Sequence, residues 1–493
     1  MKLETEESIT EEREDMRREY LMISLAAVVG WLSLSHAEEI RPRPDEKVLL
    51  EEWHGEYLMG KKVGYSYSKV WQRKGEPWLQ TKSITVLPSM KATIRNDAEA
   101  EENGNLRAFA CQADFGGATI HCSGEVRGAT LTLIYESAGA ISNRAIPLDK
   151  PVIAEEVIPY LVVKKEPKPG DRLEYNTVFP ITATLQPMEI EVVGWEDLER
   201  DGKPVKALRA TIRYMQETMT SWVDSNGSTL KSESDVLKAR SVRETKGTTE
   251  GFGDFESLNQ LDLIKKTSIT PNIDLPQGKF IQRLKANLVS VPEGLKIPSD
   301  TWQRVVHREG ETVSLEIGLK AEEIADKPDE IWLEPTVLIQ SDNPEISGTA
   351  SDVVGDATEN AEKIRRLIHW MNREITQELR ISVPSAVEIL QSRRGDCNEY
   401  ATLFAAFARS LGIPTKICVG VVHMDGQFAY HAWNEVYVPT ENPPWQPVDS
   451  IFSQFPADAT HIKLSEGDLE NHLAVSGLLG RLKIDILEYE LKE

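Results

Sequence analysis

The chain has 493 residues, a length that predicts roughly three domains at about 150 residues each. Apolar residues make up 40% and charged residues 27%, which is typical of a folded globular protein rather than a disordered or fibrous one. Because 79 acidic residues outnumber 56 basic ones, giving a net charge of −23, we expect no nucleic acid partner. Four cysteines are too few for disulfide bonds to stabilise a chain of this length, so we expect at least one free thiol that could react.

The N-terminal region contains one apolar run, Tyr20 to Leu34, of about 15 residues, shorter than the roughly 20 that span a bilayer comfortably. Two arginines precede it and Ser35-His36-Ala37 follows it, as in a secretory signal peptide. We therefore expect residues 1–37 to be a cleaved signal peptide or, alternatively, a membrane anchor formed by residues 20–34. Either alternative predicts an exported protein, periplasmic or extracellular. The acidic residues before Met16 are atypical of a leader and favour Met16 as the true start.

Residues 38–265 largely alternate between polar and apolar side chains and contain frequent turn signals, a pattern that predicts an antiparallel β domain. Asn226-Gly227 lies between two such runs and predicts a hairpin with a two-residue type I′ turn. Gly116-Gly117 predicts a second hairpin, whose register places Cys111 opposite Cys122. An exported chain could oxidise this pair, but the expected hydrogen-bonded position strains disulfide geometry, so the sequence leaves the bond open.

Residues 266–345 combine a proline-containing stretch with β-like runs and predict a small β-rich linking module. The pattern changes in residues 346–493. Apolar residues at helical spacing from Ala361 to Ile375 predict a helix of about twenty residues. Ser385 is a good N-cap for a short second helix, and a buried third helix begins at Asp396. Strand-like runs follow, and this order of helices before antiparallel strands indicates an α+β domain.

Three residues of this last domain carry a chemical pattern. Cys397 follows Gly395-Asp396 and falls in the first turn of the buried helix, where unpaired N–H groups and the helix dipole favour a reactive thiolate. His431 lies on a later strand-like run, and Asp449 lies at the start of the next one. A carboxylate can orient an imidazole that acts as a base. The three residues therefore predict a nucleophile, a base and an orienting group.

The stretch from Ser385 to Leu464 resembles the bacterial transglutaminase-like domain. The resemblance rests on the order and spacing of Gly395-Asp396-Cys397, the run 408–414, His431-Ala432-Trp433 and Val448-Asp449. That family has a papain-like α+β core and a Cys-His-Asp triad, which maps here onto Cys397, His431 and Asp449. One departure is Ser450-Ile451, where many members have Pro-Thr. The resemblance covers the C-terminal part only.

The resemblance implies acyl transfer through a thioester. Cys397 would attack an amide carbonyl, its backbone N–H would meet part of the oxyanion charge, and His431 would protonate the leaving amine. We expect a hydrolase of peptide or related amide bonds whose substrate is a protein or peptide, including one of the cell envelope. Two alternatives stay open. One is a protein cross-linking transglutaminase, and the other is a non-catalytic envelope scaffold whose β modules hold a partner.

Other sites have little support in the sequence. The nine histidines are scattered and no His-Glu-x-x-His or Cys-x-x-Cys pattern occurs, so we expect no metal and no cofactor. Gln391 could supply a second oxyanion donor, but an exposed glutamine at a helix end is the preferred interpretation. Trp433 is either a wall of the site or plain core. Membrane contact is expected only through the N-terminal anchor, and the oligomeric state stays open.

Overall fold

The computed structural model divides the described chain into two compact units, residues 46–247 and residues 267–492. The described residues are 46–88, 91–115, 118–137, 140–200, 202–215, 217–247, 267–318, 328–378, 384–467 and 473–492. The predicted signal peptide or anchor, residues 1–37, lies outside these ranges. Within them, no helix has the length and apolar character needed to cross a membrane.

The N-terminal unit contains one antiparallel sheet of fourteen strands. In chain order they are β1 Glu46–Leu58, β2 Lys61–Arg73, β3 Leu79–Leu87, β4 Ala92–Ala100, β5 Leu106–Phe115, β6 Ala118–Arg127, β7 Thr130–Ser137, β8 Ala140–Pro147, β9 Arg172–Phe179, β10 Thr184–Arg200, β11 Lys203–Tyr214, β12 Glu217–Asp224, β13 Thr229–Ser234 and β14 Arg240–Glu244. Consecutive strands pair within β1–β8 and within β9–β14, and β1 pairs with both β2 and β14, which joins the two groups. The predicted antiparallel β domain is thereby confirmed over its described residues.

Period-two alternation explains how these strands bury one face. In β7, for example, Leu131, Leu133 and Tyr135 are buried while the residues between them are exposed. Between β8 and β9 the chain forms a 3-10 turn, Glu155–Val157, followed by a short helix, α1 (Ile158–Lys164). Both elements belong to the N-terminal unit.

The hairpin predicted at Asn226-Gly227 forms between β12 and β13, but its turn is longer than expected. The Asp224 N–H donates to the Ser228 carbonyl at 2.8 Å, so three residues lie between the closing pair. The Asp224 side chain causes this, because its Oδ1 accepts the N–H groups of Asn226 and Ser228 at 2.8 and 3.0 Å. Of the two central residues predicted, Gly227 has a positive φ of 87° and Asn226 does not, so the turn is not type I′.

Cys111 and Cys122 face each other across β5 and β6, which confirms the predicted register. Both are buried free thiols in this structure. Burial raises the pKa of Cys122 to about 12 and that of Cys111 well above its ordinary value, so the protonated thiol is the stable form of each.

The C-terminal unit combines helices with two four-stranded antiparallel sheets. Its elements in chain order are β15 Ile281–Val289, β16 Gln303–Glu309, β17 Thr312–Ile317, α2 Pro344–Val354, α3 Asn360–Glu374, β18 Thr376–Gln377, α4 Ala386–Ser392, β19 Arg394–Gly395, α5 Cys397–Ser410, β20 Thr415–Met424, β21 Gln427–Tyr437, β22 Trp445–Val448, β23 Ile462–Glu466 and β24 Lys483–Leu491. One sheet has the order β16-β17-β15-β24, and the other has the order β22-β21-β20-β23.

The segment 266–345 does not stand apart from the residues that follow it. Its strand β15 pairs with β17 on one side and with the C-terminal strand β24 on the other. In addition, the backbone of Ile269 exchanges two hydrogen bonds of 2.8 Å with Phe428 on β21. The described parts of the predicted module and of the predicted catalytic domain therefore form one compact unit, because these pairings join residues far apart in the chain.

The helices of this unit follow the predicted order with one difference. The twenty-residue helix expected around 361–375 is shorter, Asn360–Glu374, and it is preceded by a separate helix, α2. Gly355, with a φ of 53°, ends α2. Helix α4 starts at the predicted cap, Ser385, which forms a capping box with Glu388. Helix α5 packs against β21, β20 and the other helices and is buried along most of its length, as predicted.

Candidate active site

A hydrogen-bonded cap fixes the position of Cys397 at the start of α5. The N-cap residue Asp396 accepts the Asn398 N–H at 3.1 Å through Oδ1, and the Asp396 N–H donates to Glu399 Oε2 at 2.9 Å. This capping box satisfies N–H groups that a helix start otherwise leaves unpaired. Gly395 permits the close approach, because a Cβ there would lie 2.2 Å from the Glu399 Cβ. Cys397 is therefore the first residue of α5, as predicted.

The surroundings of Cys397 favour a thiol rather than a thiolate. Only 3% of the residue is exposed. Burial raises the pKa of the thiol well above its ordinary value, and the nearby Asp396 and Glu399 carboxyls raise it further. The Ala432 backbone N–H bonds to the sulfur and acts in the opposite direction. The net rise in the pKa is opposite to the direction that the helix start favours, since burial and acidic neighbours outweigh the helix dipole.

His431 and Asp449 are in direct contact. His431 lies on β21 and Asp449 directly follows β22, the neighbouring strand, and His431 Nε2 donates to Asp449 Oδ2 at 2.6 Å. Asp449 Oδ1 accepts the backbone N–H groups of Ile451 and Phe452 at 2.9 and 3.0 Å. The carboxylate is therefore held in place on one oxygen and orients the imidazole with the other.

Cys397 lies against β21, the strand that carries His431. The hydrogen bond to the sulfur comes from the N–H of Ala432, the next residue along β21, and the charge of Asp449 also acts on the thiol. The amide Nδ2 of Asn398 lies 3.9 Å from the sulfur. All three predicted site residues are thus gathered where the N-terminus of α5 meets β21, although they are separated along the chain.

Aromatic rings enclose the histidine. The His431 ring stacks on Trp433 with centroids 6.2 Å apart, and the Phe452 ring centroid is 5.2 Å away. Gly420 lies opposite His431 on β20 and allows this packing, because a Cβ there would lie 2.0 Å from the Ile462 carbonyl oxygen and 2.9 Å from the Trp433 ring. Trp433 is therefore a wall of the site. A dry, aromatic enclosure strengthens the electrostatic interactions inside it.

A second histidine, His461, shares the carboxylate of Asp449. Its Nε2 donates to Asp449 Oδ2 at 2.9 Å, and its Nδ1 donates to the Asp458 carbonyl at 3.1 Å. Burial alone would lower the pKa of His461, but bonds to Asp449 and Asp458 raise it to about 9. His461 is therefore charged at neutral pH. Burial alone would raise the pKa of Asp449, but His431 and His461 together hold it well below its usual range.

His461 is not among the site residues that the sequence predicts. It lies in the run Ala457 to Leu464, twelve residues after Asp449, and no periodicity connects the two. The signal that could have found it is chemical: a histidine flanked by Asp458 and Thr460 in an otherwise apolar run is costly to bury unless it is charged and paired. Gln391 is exposed and donates to Glu345 Oε2 at 3.0 Å, as the preferred interpretation expected.

A buried lysine lies two residues beyond His461. Lys463 Nζ is bound by Glu435 at 2.7 and 2.8 Å, by Glu466 at 2.8 Å and by Asp300. Burial opposes the charged form, but Glu435 and Asp300 hold the pKa of Lys463 well above its ordinary value. The cluster ties Glu435 on β21 to the loop before β16, which supports the strand that carries His431.

Among the described residues, two groups of side chains have the spacing of metal ligands, and hydrogen bonds or ion pairs within the chain already join the members of each. The first is His431, Asp449 and His461. A charged His461 has protons on both nitrogens and offers no lone pair to a metal. In the second, Asp300, Glu435 and Glu466, the Lys463 ammonium lies where a cation would bind. The donor sets therefore fit an ion-pair network better than a metal centre.

A protein-family model matches within the C-terminal unit. Residues 347–450 match the transglutaminase-like superfamily. This confirms the resemblance predicted from the sequence, and the transglutaminase-like segment contains Cys397, His431 and Asp449. His461 and Lys463 lie beyond it. No curated protein matches the chain significantly.

Several solved structures share limited likeness with the chain. A "putative cysteine protease" from Cytophaga hutchinsonii matches with 14% identity and a TM-score of 0.28, over 43% of this chain and 86% of that one. A beta-barrel-like protein with a domain of unknown function from Brucella abortus has 8% identity and a TM-score of 0.30, over 40% and 95%. A "putative protease" from Parabacteroides distasonis has 13% identity and a TM-score of 0.19, over 67% and 64%. TM-scores this low do not establish a common fold.

Proposed function

We propose that the C-terminal unit is a papain-like, cysteine-dependent hydrolase of peptide or related amide bonds that acts through a thioester intermediate. The observation that carries the proposal is the 2.6 Å bond from His431 Nε2 to Asp449, next to a cysteine at a helix N-terminus. In this assignment Cys397 is the nucleophile, His431 the base and Asp449 the orienting group. Their location inside the transglutaminase-like segment supports it.

The raised pKa of Cys397 shapes the first step. Because the thiol form is favoured before reaction, His431 removes the thiol proton as the sulfur attacks the amide carbonyl. Asp449 holds Nε2 of the ring, so the proton is taken up at Nδ1. The imidazolium that forms is stabilised by the Asp449 carboxylate, which keeps its charge because His461 also holds it.

The remaining steps use the same groups. The carbon–sulfur bond forms while charge develops on the carbonyl oxygen, where we assign the Cys397 backbone N–H as one donor worth roughly 3 kcal/mol. His431 then gives its proton to the leaving amine, and the thioester remains. Water, deprotonated by His431, attacks the thioester carbonyl carbon, and the carbon–sulfur bond breaks to release the acid product. The His431 imidazolium then returns the proton to the Cys397 sulfur.

The experiment compares peptide cleavage with amine transfer. The full chain is incubated with a fluorogenic peptide library, with and without a fluorescent primary amine. Amine-independent cleavage that is abolished in Cys397→Ala supports the hydrolase, whereas Cys397-dependent incorporation of the amine into protein identifies a cross-linking enzyme instead. Cys418→Ala is the matched control, because Cys418 is another buried free thiol of the same unit, on β20. Cleavage that persists in Cys397→Ala, or its absence in the wild type, overturns the proposal and leaves the scaffold alternative.

We also propose that the protein is exported and meets its protein or peptide substrate outside the cytoplasm. The support is the apolar run 20–34 with its flanking residues, which lies outside the described residues. Cell fractionation followed by N-terminal sequencing tests it. A new N-terminus after Ala37 supports a cleaved leader, and an intact chain in the membrane fraction supports the anchor. An intact chain in the soluble cytosolic fraction overturns export.

A further inference from the structure

The N-terminal unit contains a cavity of about 200 Å³ that is partly open to solvent and has acidic walls. Strands β1–β4 and β10–β14 and the 3-10 turn before α1 contribute to its lining. Six glutamates line it: Glu52, Glu56, Glu155, Glu156, Glu217 and Glu233. The basic side chains of its described lining are Arg240 and His54. Burial lowers the pKa of His54 to about 4, so this ring adds no positive charge at neutral pH.

Glu233 is paired with Lys231 at 3.1 Å, but neutral hydroxyl groups bind several of the other carboxyls. Glu56 Oε1 accepts from Ser66 Oγ at 2.5 Å and from Ser241 Oγ at 3.2 Å. Glu217 Oε1 accepts from Ser234 Oγ at 2.5 Å. Bonds from neutral donors stabilise a carboxylate much less than bonds from a charged donor do. The walls therefore hold acceptors whose preferred partners are positively charged.

One carboxylate oxygen in the cavity has no partner among the described residues. Glu56 is 1% exposed, and its Oε2 accepts no hydrogen bond there. Buried side-chain oxygens are ordinarily paired, so this atom marks a position for a donor that comes from elsewhere. Unlike the Glu56 side chain, the Glu155 side chain is accessible to solvent, as expected for a group that lines a partly open cavity.

Burial raises the pKa of several of these acids toward neutral pH. It raises the pKa of Glu52, Glu56 and Glu217 to about 7, against the hydrogen bonds that stabilise their charged forms. The protein around Glu155 and the neighbouring Glu156 carboxyl act in the same direction on the pKa of Glu155. A cation that entered would favour the charged carboxylates and would repay part of their cost of burial.

We propose that this cavity is a binding site for a small organic cation that carries ammonium or guanidinium N–H donors. A single metal ion fits less well, because the two described groups with metal-ligand spacing are both in the C-terminal unit and include none of these glutamates. Carboxylates spread over several strands suit a cation whose N–H groups point in several directions. The volume is below the roughly 300–1,000 Å³ of pockets for drug-sized ligands, so the ligand is small. This proposal goes beyond the proposed hydrolase.

Calorimetric titration of the full chain with cadaverine tests the proposal, with 1,5-pentanediol as the neutral analogue and glutarate as the anionic one. We expect saturable binding of cadaverine and none of the other two. Glu56→Gln and Glu217→Gln, on different strands, should each weaken binding at least tenfold. Glu125→Gln is the matched control, since Glu125 is exposed on β6 of the same unit, and it should bind as the wild type does.

Two further measurements separate this site from the catalytic one and from effects on folding. Cys397→Ala should bind cadaverine unchanged, because the cavity does not include it. Hydrogen exchange of the wild-type chain should slow in peptides from β1 and β12 when cadaverine is added, and this readout needs no variant. The proposal is overturned if the diol binds equally well, if folded Glu56→Gln and Glu217→Gln bind normally, or if exchange in β1 and β12 is unaffected.

Discussion

Both units bury carboxyl groups, but they surround them differently. In the C-terminal unit, Asp449 accepts from a charged histidine, His461, and Lys463 lies among three acidic side chains. In the cavity of the N-terminal unit, Glu56 and Glu217 accept from serine hydroxyls. The results are opposite. The pKa of Asp449 is held below its usual range, whereas burial raises that of Glu56 to about 7.

The difference teaches that charged partners can outweigh burial, as they do at Asp449. Burial alone would raise the pKa of each of these acids, and neighbouring cations reverse the direction at Asp449 but not at Glu435, whose pKa stays raised to about 7 beside Lys463. The C-terminal unit supplies the cation at Asp449 from its own chain and so fixes a charged carboxylate beside His431. The N-terminal cavity has the acids without enough cations, which is the basis for proposing a cationic ligand there.

The largest expected effect comes from removing the paired carboxylate. Asp449→Asn removes the negative charge that orients the His431 ring. It also removes the charge that stabilises the protonated form of His461. We expect hydrolysis to fall by roughly 10³–10⁴-fold, since a triad without its carboxylate loses both ring orientation and stabilisation of the imidazolium. Peptide cleavage rates measure this loss, and circular dichroism checks the fold. Asp485→Asn on the exposed side of β24 is the control. A folded Asp449→Asn that keeps a tenth of the activity contradicts the assignment.

Removing the buried ammonium group of Lys463 should lower the free energy of unfolding, because Lys463 is not one of the proposed catalytic residues. Lys463→Met leaves Glu435 and Asp300 without the ammonium group that binds them, whereas Glu466 keeps its ion pair with Lys416 at 3.1 Å. Breaking such a buried pair costs about 3–5 kcal/mol. Denaturant titration followed by tryptophan fluorescence measures the loss, and Lys483→Met, at an exposed position, is the control.

A second substitution sharpens this prediction. Adding Glu435→Gln to Lys463→Met should recover part of the stability, because it removes one of the unpaired charges. A loss below about 1 kcal/mol in the single variant, or no recovery in the double variant, would show that the cluster is not a tightly coupled ion-pair network.

The charge of His461 predicts how stability depends on pH. Its folded pKa of about 9 exceeds the ordinary 6.5, so its contribution is complete below pH 6.5 and is lost as the pH rises through 9. We expect the C-terminal unit to lose on the order of 2–3 kcal/mol over this window. His461→Gln should flatten the profile, and His369→Gln, on the exposed face of α3, should not. Equal slopes in wild type and His461→Gln would contradict the assigned charge.

The smallest expected effect has the opposite sign and lies in the cavity. The folded pKa of Glu56 is about 7 instead of 4.5, so ionised Glu56 costs stability as the pH rises through 7. Glu56→Gln should therefore stabilise the N-terminal unit by about 1–2 kcal/mol at pH 8 and change little at pH 4.5. Denaturant titrations at the two pH values measure this, with Glu125→Gln as the control. Destabilisation at pH 8 would mean that Glu56 has an internal cation after all.

Local patterns in the sequence predicted much of the fold and the three proposed catalytic residues. Period-two alternation predicted the N-terminal antiparallel sheet, and the caps at Ser385 and Asp396 predicted two helix starts, because such signals act within a few residues. The motif order around Cys397, His431 and Asp449 predicted the transglutaminase-like segment, which the family model confirms. The turn at Asn226-Gly227 was predicted wrongly in type, because the Asp224 side chain competes for the same N–H groups.

Tertiary structure alone decided the charges and the partners of these groups. The distance of His461 from Asp449, the ammonium of Lys463 between Glu435 and Asp300, and the raised pKa of Cys397 depend on strands and loops that meet across the unit. The pairing of β15 with β24 likewise joins two ends of the unit that nothing local connects. Electrostatic energies depend on distance in space and on exclusion of water, and neither quantity is encoded in the spacing of residues along a chain.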